Sequence, residues 1–219
     1  MFSSNTTQVS GGAEFLWPAS NFSATNGTYS ASRNVEFFGG GYNGGTSCRN
    51  LAYLNDANQS GYVYFTTPTS LGVAPGADFG MGAWVYVYGY DSTWLSFFGI
   101  SDLVTYGMGI GNDFARGPFM GYWGGYLTSG YGVPLPREAW FYMSWEVFNN
   151  VCTTYIGGTP YQAAGISHPG WAAGSTLYCL SNVETLTIGY PNVQNQFAVD
   201  NLTMYLGAKY RGNSYTPPT

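Results

Sequence analysis

The chain has 219 residues, of which 45% are hydrophobic and only 8% are charged, and its formal net charge is −5. This length suits one large β-sandwich or two small domains, and since no long polar linker divides the chain, a single domain is favoured. The chain has no basic cluster and no apolar run of about 18 residues, which argues against nucleic-acid binding and against a membrane span.

Apolar residues alternate with period two along most of the chain, whereas no helical periodicity is present. In chain order, we expect strands over residues 34–38, 62–66, 84–88, 94–100, 106–111, 119–123, 140–148, 152–156, 177–180, 186–188 and 197–206. Clusters of Gly, Pro, Asn and Ser separate these segments, and Asn149-Asn150 is expected to join two of them in a tight hairpin. Short strands with such punctuation predict an all-β fold, a two-sheet antiparallel β-sandwich of the jelly-roll kind.

The two ends of the chain differ in composition from its middle. Residues 1–13 lack the basic start and the apolar segment of a secretory signal, and they are expected to form an N-terminal arm. Residues 14–212 are expected to form the single sandwich domain. Residues 213–219, with the sequence NSYTPPT, are expected to form a C-terminal tail.

Four blocks of the chain follow one another in a recognisable order, and they cover residues 62–87, 95–113, 133–161 and 186–210. The third block enters its strand with a Pro-x-x-x-Trp pattern that ends at Trp140, and the fourth closes with a Phe-x-x-Asp pattern that ends at Asp200. Together the blocks resemble the laminin-G-like branch of the concanavalin-A-like lectin and glucanase superfamily. The resemblance implies two antiparallel sheets packed face to face, one of them concave, with ligand loops at the rim. It also implies a structural hydrogen-bonding role for Asp200.

Acidic residues are sparse, although calcium-binding members of that superfamily use acidic side chains near the rim. Asp102 and Asp113 stand at opposite ends of a central strand pair, and one of them could reach a hard cation. Calcium needs six to eight oxygen ligands, however, and no set with suitable spacing is present. We therefore expect no metal site and no cofactor, with calcium as the alternative.

The three cysteines are Cys48, Cys152 and Cys179. An odd number argues against a complete disulfide framework. Buried thiols are favoured, and a pair between Cys152 and Cys179, which both fall in expected strands, remains open.

An enzyme of the glycoside hydrolase or lyase class is the least favoured function. Hydrolysis of a glycosidic bond usually needs two carboxyl groups that face each other across the sugar. No two of the five glutamates lie within seven residues of each other, and Glu146, on an expected strand, has no acidic companion two or four residues away. The only histidine, His168, stands before a proline and is expected to be a loop residue rather than part of a catalytic triad.

Aromatic residues dominate the candidate binding surface. Twenty tyrosines and seven tryptophans are present, and such side chains give rigid contact area with a polar tip. Trp84, Trp140 and Trp145 are expected in the core. The candidate carbohydrate- or partner-binding residues, taken from two aromatic loops, are Tyr90, Trp94, Tyr122, Trp123, Tyr126 and Tyr131.

Low charge and a surface rich in Gly, Tyr and Asn suit a virion or extracellular environment. We therefore expect a non-enzymatic virion structural protein, such as a capsid decoration or head-fibre module of a bacteriophage, on the virion surface. Its expected partners are the major capsid protein or other virion proteins and surface glycans, and it is expected to be a homo-oligomer or bound to an assembly. The alternative is a lectin-like adhesion module of a tail fibre or a cell surface.

Overall fold

The computed structural model describes residues 15–50, 62–67, 72–89, 94–101, 107–113, 117–122, 135–171, 175–181 and 196–219. Within these ranges the chain forms fourteen strands and a short 3₁₀ turn at Tyr42–Gly44. The strands are β1 (Phe15–Trp17), β2 (Thr28–Arg33), β3 (Val35–Gly39), β4 (Thr46–Asn50), β5 (Tyr62–Thr66), β6 (Phe79–Gly89), β7 (Trp94–Ser101), β8 (Gly107–Asp113), β9 (Gly117–Tyr122), β10 (Trp140–Phe148), β11 (Val151–Ile156), β12 (Thr159–Gly165), β13 (Thr176–Ser181) and β14 (Gln196–Leu206).

These strands form two antiparallel sheets. The eight-stranded sheet has the order β12-β11-β10-β6-β14-β4-β3, with β1 also paired to β14, and the six-stranded sheet has the order β2-β5-β13-β7-β8-β9. The expected all-β, two-sheet antiparallel sandwich is therefore confirmed. In the part of the chain that the structure describes, no helix is long and apolar enough to cross a membrane.

The core lies between the two sheets, where the period-two alternation of the long central strands directs their apolar side chains. The inward residues of β6 and β10 are all buried: Phe79, Met81, Ala83, Val85, Val87, Phe141, Met143, Trp145 and Val147. The six-stranded sheet meets them with Val63, Phe65, Phe98, Ile100 and Leu177. Trp145 is in the core, as expected, and its ring meets that of Phe79 edge to face at 5.0 Å.

Two tryptophans expected in the core lie instead on the outer face of the eight-stranded sheet. Trp84 and Trp140 belong to the outward set of β6 and β10, since Val85 and Phe141 beside them point into the core. Trp84 is buried on that face because the ring of Tyr42 stacks on it at 3.3 Å. Trp84 is therefore buried, as expected, whereas the prediction was wrong for Trp140, which is half-buried. Strands β6 and β10 carry large side chains on both faces, and alternation alone does not tell which face is inside.

The expected strands agree well with those observed in the described ranges, and β10 matches its expected range of 140–148 at both ends. The sequence pattern does not predict β1, β2, β4 or β12. These strands are short or polar, as in TYSASR of β2, and β12 contains Pro160, which lowers its strand signal. The expected arm over residues 1–13 and the expected strand over 186–188 lie outside the described residues.

The C-terminal tail contacts the outer face of the eight-stranded sheet through Tyr215. The Tyr215 N–H donates to the carbonyl of Gly158 at 2.9 Å, and the ring stacks on that of Tyr210 at 3.5 Å. The Tyr215 hydroxyl also hydrogen-bonds the hydroxyl of Ser144. One half of the outer face is therefore covered by the chain's own last residues.

Two cysteines are buried thiols, as favoured by the sequence. Cys48 packs in the core from β4, and Cys152 does so from β11. Burial raises the pKa of the Cys48 thiol to about 12, and it also raises the pKa of Cys152.

The loop of residues 40–45 folds back over the outer face and is held there by Asp200. The Asp200 carboxylate accepts the N–H groups of Tyr42 and Asn201, which is the structural role that the resemblance implies. Gly41 leaves the necessary room, because a Cβ at that position would lie 2.7 Å from Asp200 Oδ2. Asp200 is only 3% exposed, and burial raises the pKa of its carboxyl to about 6.

Gly80 in β6 makes room for an aromatic residue of the neighbouring strand. A Cβ at Gly80 would lie 2.5 Å from the hydroxyl oxygen of Tyr205 and 2.8 Å from the carbonyl oxygen of Trp145. The backbone cannot move away, because β6 is paired on both sides, with β10 and with β14.

We expect Gly80→Ala to lower the free energy of unfolding by about 1–3 kcal/mol, the usual cost of overpacking a closely packed site. Urea unfolding followed by tryptophan fluorescence measures this change. Gly165→Ala is the matched control, since a Cβ at that strand position meets nothing within 4 Å, and we expect it to change the stability by less than about 0.5 kcal/mol. Equal effects of the two substitutions would contradict the close approach of Tyr205.

We expect the stability difference between the natural chain and Asp200→Asn to depend on pH. The folded-state pKa of Asp200, about 6, lies above the value of about 3.9 for an unfolded chain, so the folded state keeps a proton that the unfolded state has lost. This contribution is complete below about pH 4 and is lost as the pH rises through 6. Urea unfolding of both proteins from pH 4 to pH 7.5 should show the natural chain losing about 1–3 kcal/mol relative to the variant. A difference that stays constant over this range would contradict the buried, protonated carboxyl.

Candidate functional site

The outer face of the eight-stranded sheet carries a row of side chains that crosses five strands. Trp140 in β10 is paired with Tyr86 in β6, and Tyr86 is paired with Ala198 in β14. Ala198 is in turn paired with Arg49 in β4, and Arg49 with Glu36 in β3. Four steps between strands give the row a length of about 19 Å. Phe38 and Tyr88 lie beside it, and we call these seven residues the aromatic platform.

The aromatic rings of the platform are half-buried, so that each is supported from below and still reaches solvent. The ring of Tyr86 lies 5.5 Å from that of Trp140 and 4.4 Å from that of Tyr88, and Phe38 lies 6.3 Å from Tyr88. In the middle of the row, Ala198 is fully buried and adds only a methyl group. Because Phe38 of β3 and Tyr88 of β6 approach each other over the two strands between them, their side chains cover the middle of the row.

The polar groups of the platform form one connected set. Arg49 Nη2 donates to Glu36 Oε1 at 2.8 Å, and the guanidinium lies over the ring of Phe38 at 4.9 Å. Arg49 also hydrogen-bonds the side chain of Tyr88. Burial raises the pKa of Tyr88, and the charge of Arg49 opposes this rise, so the hydroxyl stays protonated at neutral pH. The platform thus offers ring faces together with fixed donors and acceptors, the usual makeup of a binding site for a small polar ligand.

The loop of residues 40–45 forms one border of the platform. Trp140 Nε1 donates to the carbonyl of Gly40 at 3.1 Å, which fixes the orientation of the indole ring. The stack of Tyr42 on Trp84 and the contact of Tyr42 with Asp200 fix the loop in turn. The ring of Trp140 is therefore positioned before any ligand arrives, which lowers the entropy cost of binding.

Glu146, the glutamate considered for catalysis, has a structural role instead. Its carboxylate is 1% exposed and accepts the N–H groups of Lys209, Tyr210 and Arg211 at 2.5, 2.9 and 2.6 Å. The hydroxyl of Tyr205 donates to it at 3.4 Å. Successive N–H groups of a turn make a concave anion site, and here the anion is part of the same chain. This carboxylate faces the C-terminal turn and not an open cleft.

His168 is a buried loop residue, as expected, with backbone partners at both ring nitrogens. Its Nε2 contacts the carbonyl of Ala77 at 3.0 Å, and its Nδ1 accepts the N–H of Gly170 at 3.2 Å. Burial lowers the pKa of the ring, so it is neutral at pH 7. The described residues also contain no group of three or more His, Cys, Asp or Glu side chains that could hold a metal ion.

The site residues expected from the sequence are not those of the platform. Tyr90, Trp123, Tyr126 and Tyr131 lie outside the described residues. Trp94 begins β7 and Tyr122 ends β9, both in the six-stranded sheet, and the register places them at opposite ends of those strands. The sequence reasoning missed Tyr86, Tyr88 and Trp140 as surface residues. Alternation in β6 and β10 does place these three residues on one face of each strand. They come together, however, only because β6 pairs with β10, which lies far from it in the chain.

No protein-family model matches the chain, and no curated protein sequence matches it. Several solved structures are similar in fold. Domain 4 of AbnA, a GH43 extracellular arabinanase from Geobacillus stearothermophilus in complex with arabinotriose, is 16% identical, with a TM-score of 0.55 over 84% of this chain and 83% of that one. The binding domain of Paraclostridial Mosquitocidal Protein 1 is 14% identical, with a TM-score of 0.59 over 84% of this chain and 45% of that one.

A bacteriophage protein is also similar. The conserved carbohydrate esterase vb_24B_21 from the Shiga toxin-encoding bacteriophage phi24B is 13% identical, with a TM-score of 0.57 over 90% of this chain and 100% of that one. At identities this low, the three likenesses establish a shared β-sandwich fold and nothing finer.

Proposed function

We propose that this chain is a carbohydrate-binding module that holds a glycan along the aromatic platform without transforming it. The observation that carries the proposal is the row of Trp140, Tyr86, Ala198, Arg49 and Glu36 across five strands. The apolar faces of sugar rings pack on aromatic rings, while their hydroxyls need donors and acceptors at the edge. The platform supplies both on a rigid sheet.

Binding without turnover is supported by the positions of Glu36 and Glu146, because the third carboxyl group of this face, Asp200, is 3% exposed and accepts the N–H groups of Tyr42 and Asn201. Glu36 lies four strands from Trp140, about 19 Å across the sheet, and Glu146 lies six residues from Trp140 along β10, so the two carboxylates are more than roughly 20 Å apart. Glycosidases hold their two carboxyl groups about 5–9.5 Å apart. In addition, Glu146 is bonded to the C-terminal turn and Glu36 to Arg49, so neither is poised for proton transfer.

The names of the structural neighbours support the same proposal. One neighbour is a domain of an arabinanase that holds arabinotriose, another is a carbohydrate esterase of a bacteriophage, and a third is the binding domain of a toxin. Two of these three names, the arabinanase domain and the esterase, concern carbohydrates. Fold likeness is an analogy, and the platform itself is the physical argument.

We further propose that the module acts outside the cell, on a virion surface, as a decoration or head-fibre protein that also touches glycans. The low charge of the chain and its match to the whole length of a bacteriophage protein support this location. Mass spectrometry of purified particles, compared with purified cell envelopes, tests it. Recovery in particles is the expected result, and recovery in envelopes alone would contradict it.

We expect Tyr86→Ala and Trp140→Ala each to weaken glycan binding at least about tenfold, a loss of about 1.4 kcal/mol, because each removes a supported ring face. Affinity gel electrophoresis against a panel of polysaccharides identifies a ligand, and isothermal titration calorimetry measures the loss. Tyr86→Phe keeps the ring and should retain most of the affinity.

The matched control for these variants is Tyr62→Ala. Tyr62 stacks on Tyr64 at 4.3 Å in the six-stranded sheet, so the control removes a half-buried aromatic ring from a different sheet. It should leave binding within about twofold of the natural chain. A loss for Tyr62→Ala with none for the two platform variants would place the site elsewhere, and no binding to any glycan would contradict the proposed function.

A further inference from the structure

We infer that the platform selects uncharged glycans over acidic ones, because Glu36 neutralises the one cation of the platform, Arg49. This inference rests on the proposed function and names its ligand class. The two side chains meet at 2.8 Å and are 30% and 39% exposed, so the pair lies at the surface where a ligand would arrive. The Arg49 charge is therefore matched before a ligand binds.

An acidic sugar would need the guanidinium that Glu36 already occupies. A carboxylate is recognised best by two parallel N–H groups of one guanidinium. In this site Nη2 is bonded to Glu36, and Nε is buried without a hydrogen-bond partner among the described residues, so it is closed to an incoming anion. A ligand carboxylate would have to displace Glu36 or lie beside its negative charge, and both are unfavourable.

The surroundings of the pair add negative charge rather than positive charge. Asp200 lies two residues after Ala198 on the same strand and is held near Trp84, beside the platform. It ionises above about pH 6, and the formal net charge of the chain is −5. The negative electrostatic potential over this part of the surface therefore repels polyanions and has little effect on neutral polymers.

For a neutral sugar the same pair is well suited. Glu36 accepts hydrogen bonds from hydroxyl groups, and Arg49 donates to hydroxyl oxygens, so two adjacent hydroxyls of one ring can be bound together. The guanidinium lies over the ring of Phe38 and hydrogen-bonds the side chain of Tyr88, and both contacts hold it in place. The pair of Arg49 and Glu36 therefore favours ligands that carry hydroxyl groups and disfavours ligands that carry carboxylates or sulfates.

The test compares matched polysaccharides that differ in charge: galactan with polygalacturonate, and dextran with dextran sulfate. Affinity gel electrophoresis of the natural chain should show retention by at least one neutral polymer and no stronger retention by any acidic partner. Glu36→Gln releases Arg49, and we expect its affinity for at least one acidic polymer to rise about tenfold. About 0.5 M NaCl should abolish this gain, because it comes from exposed charges.

Two further variants control the result. Asp78→Asn makes the same change of net charge just before β6 begins, about 26 Å from Tyr86 along the strand direction, and its amide oxygen can still accept the N–H of Asn149, so it should not gain affinity for acidic polymers. Glu36→Asp keeps the carboxylate and should keep the preference for neutral polymers.

The outcomes separate this inference from the function on which it rests. Stronger binding of the natural chain to an acidic polymer than to its neutral partner would overturn the inference and leave the proposed function standing. The same gain for Asp78→Asn as for Glu36→Gln, or no gain for Glu36→Gln, would overturn the assigned role of Glu36. Failure of the natural chain to bind any neutral or acidic polymer would overturn the proposed function itself.

Discussion

The buried carboxylate of Glu146 decides which half of the outer sheet face is covered. A carboxyl group at 1% exposure is costly to bury unless its oxygens are hydrogen-bonded, and three successive N–H groups of the C-terminal turn meet this requirement. The same C-terminal turn places Tyr210 and Tyr215 against the sheet. Without this anchor, the aromatic residues of that half would be left exposed to solvent.

The other half of the same face has no such cover within the described part of the chain, and there the rings remain available. The border between the two halves is the loop of residues 40–45, which Asp200 and the stack of Tyr42 on Trp84 hold in place. One sheet face therefore serves two purposes. At one end the C-terminal residues cover the face, and at the other end the face carries the platform. The antiparallel pairing of β10, β6 and β14 keeps the backbone beneath the platform rigid.

The sequence was sufficient for the fold class, because period-two alternation in β6 and β10 is a local signal. It was insufficient for the site, because Trp140, Tyr86 and Arg49 come together only through pairings between strands far apart in the chain. Alternation also gives two faces without saying which is inside, and this is why Trp84 and Trp140 were assigned to the core. The partner of Glu146 lies about sixty residues away, and no spacing rule would have found it.

The burial of Cys48 and Cys152 has a consequence for where the protein can be made. A thiol reacts as its thiolate, and with a pKa of about 12 for Cys48 almost none is present at neutral pH. Both side chains pack as small apolar groups inside the sandwich. These two positions therefore need no oxidising compartment during folding, and transfer from a reducing to an oxidising environment leaves them chemically unchanged.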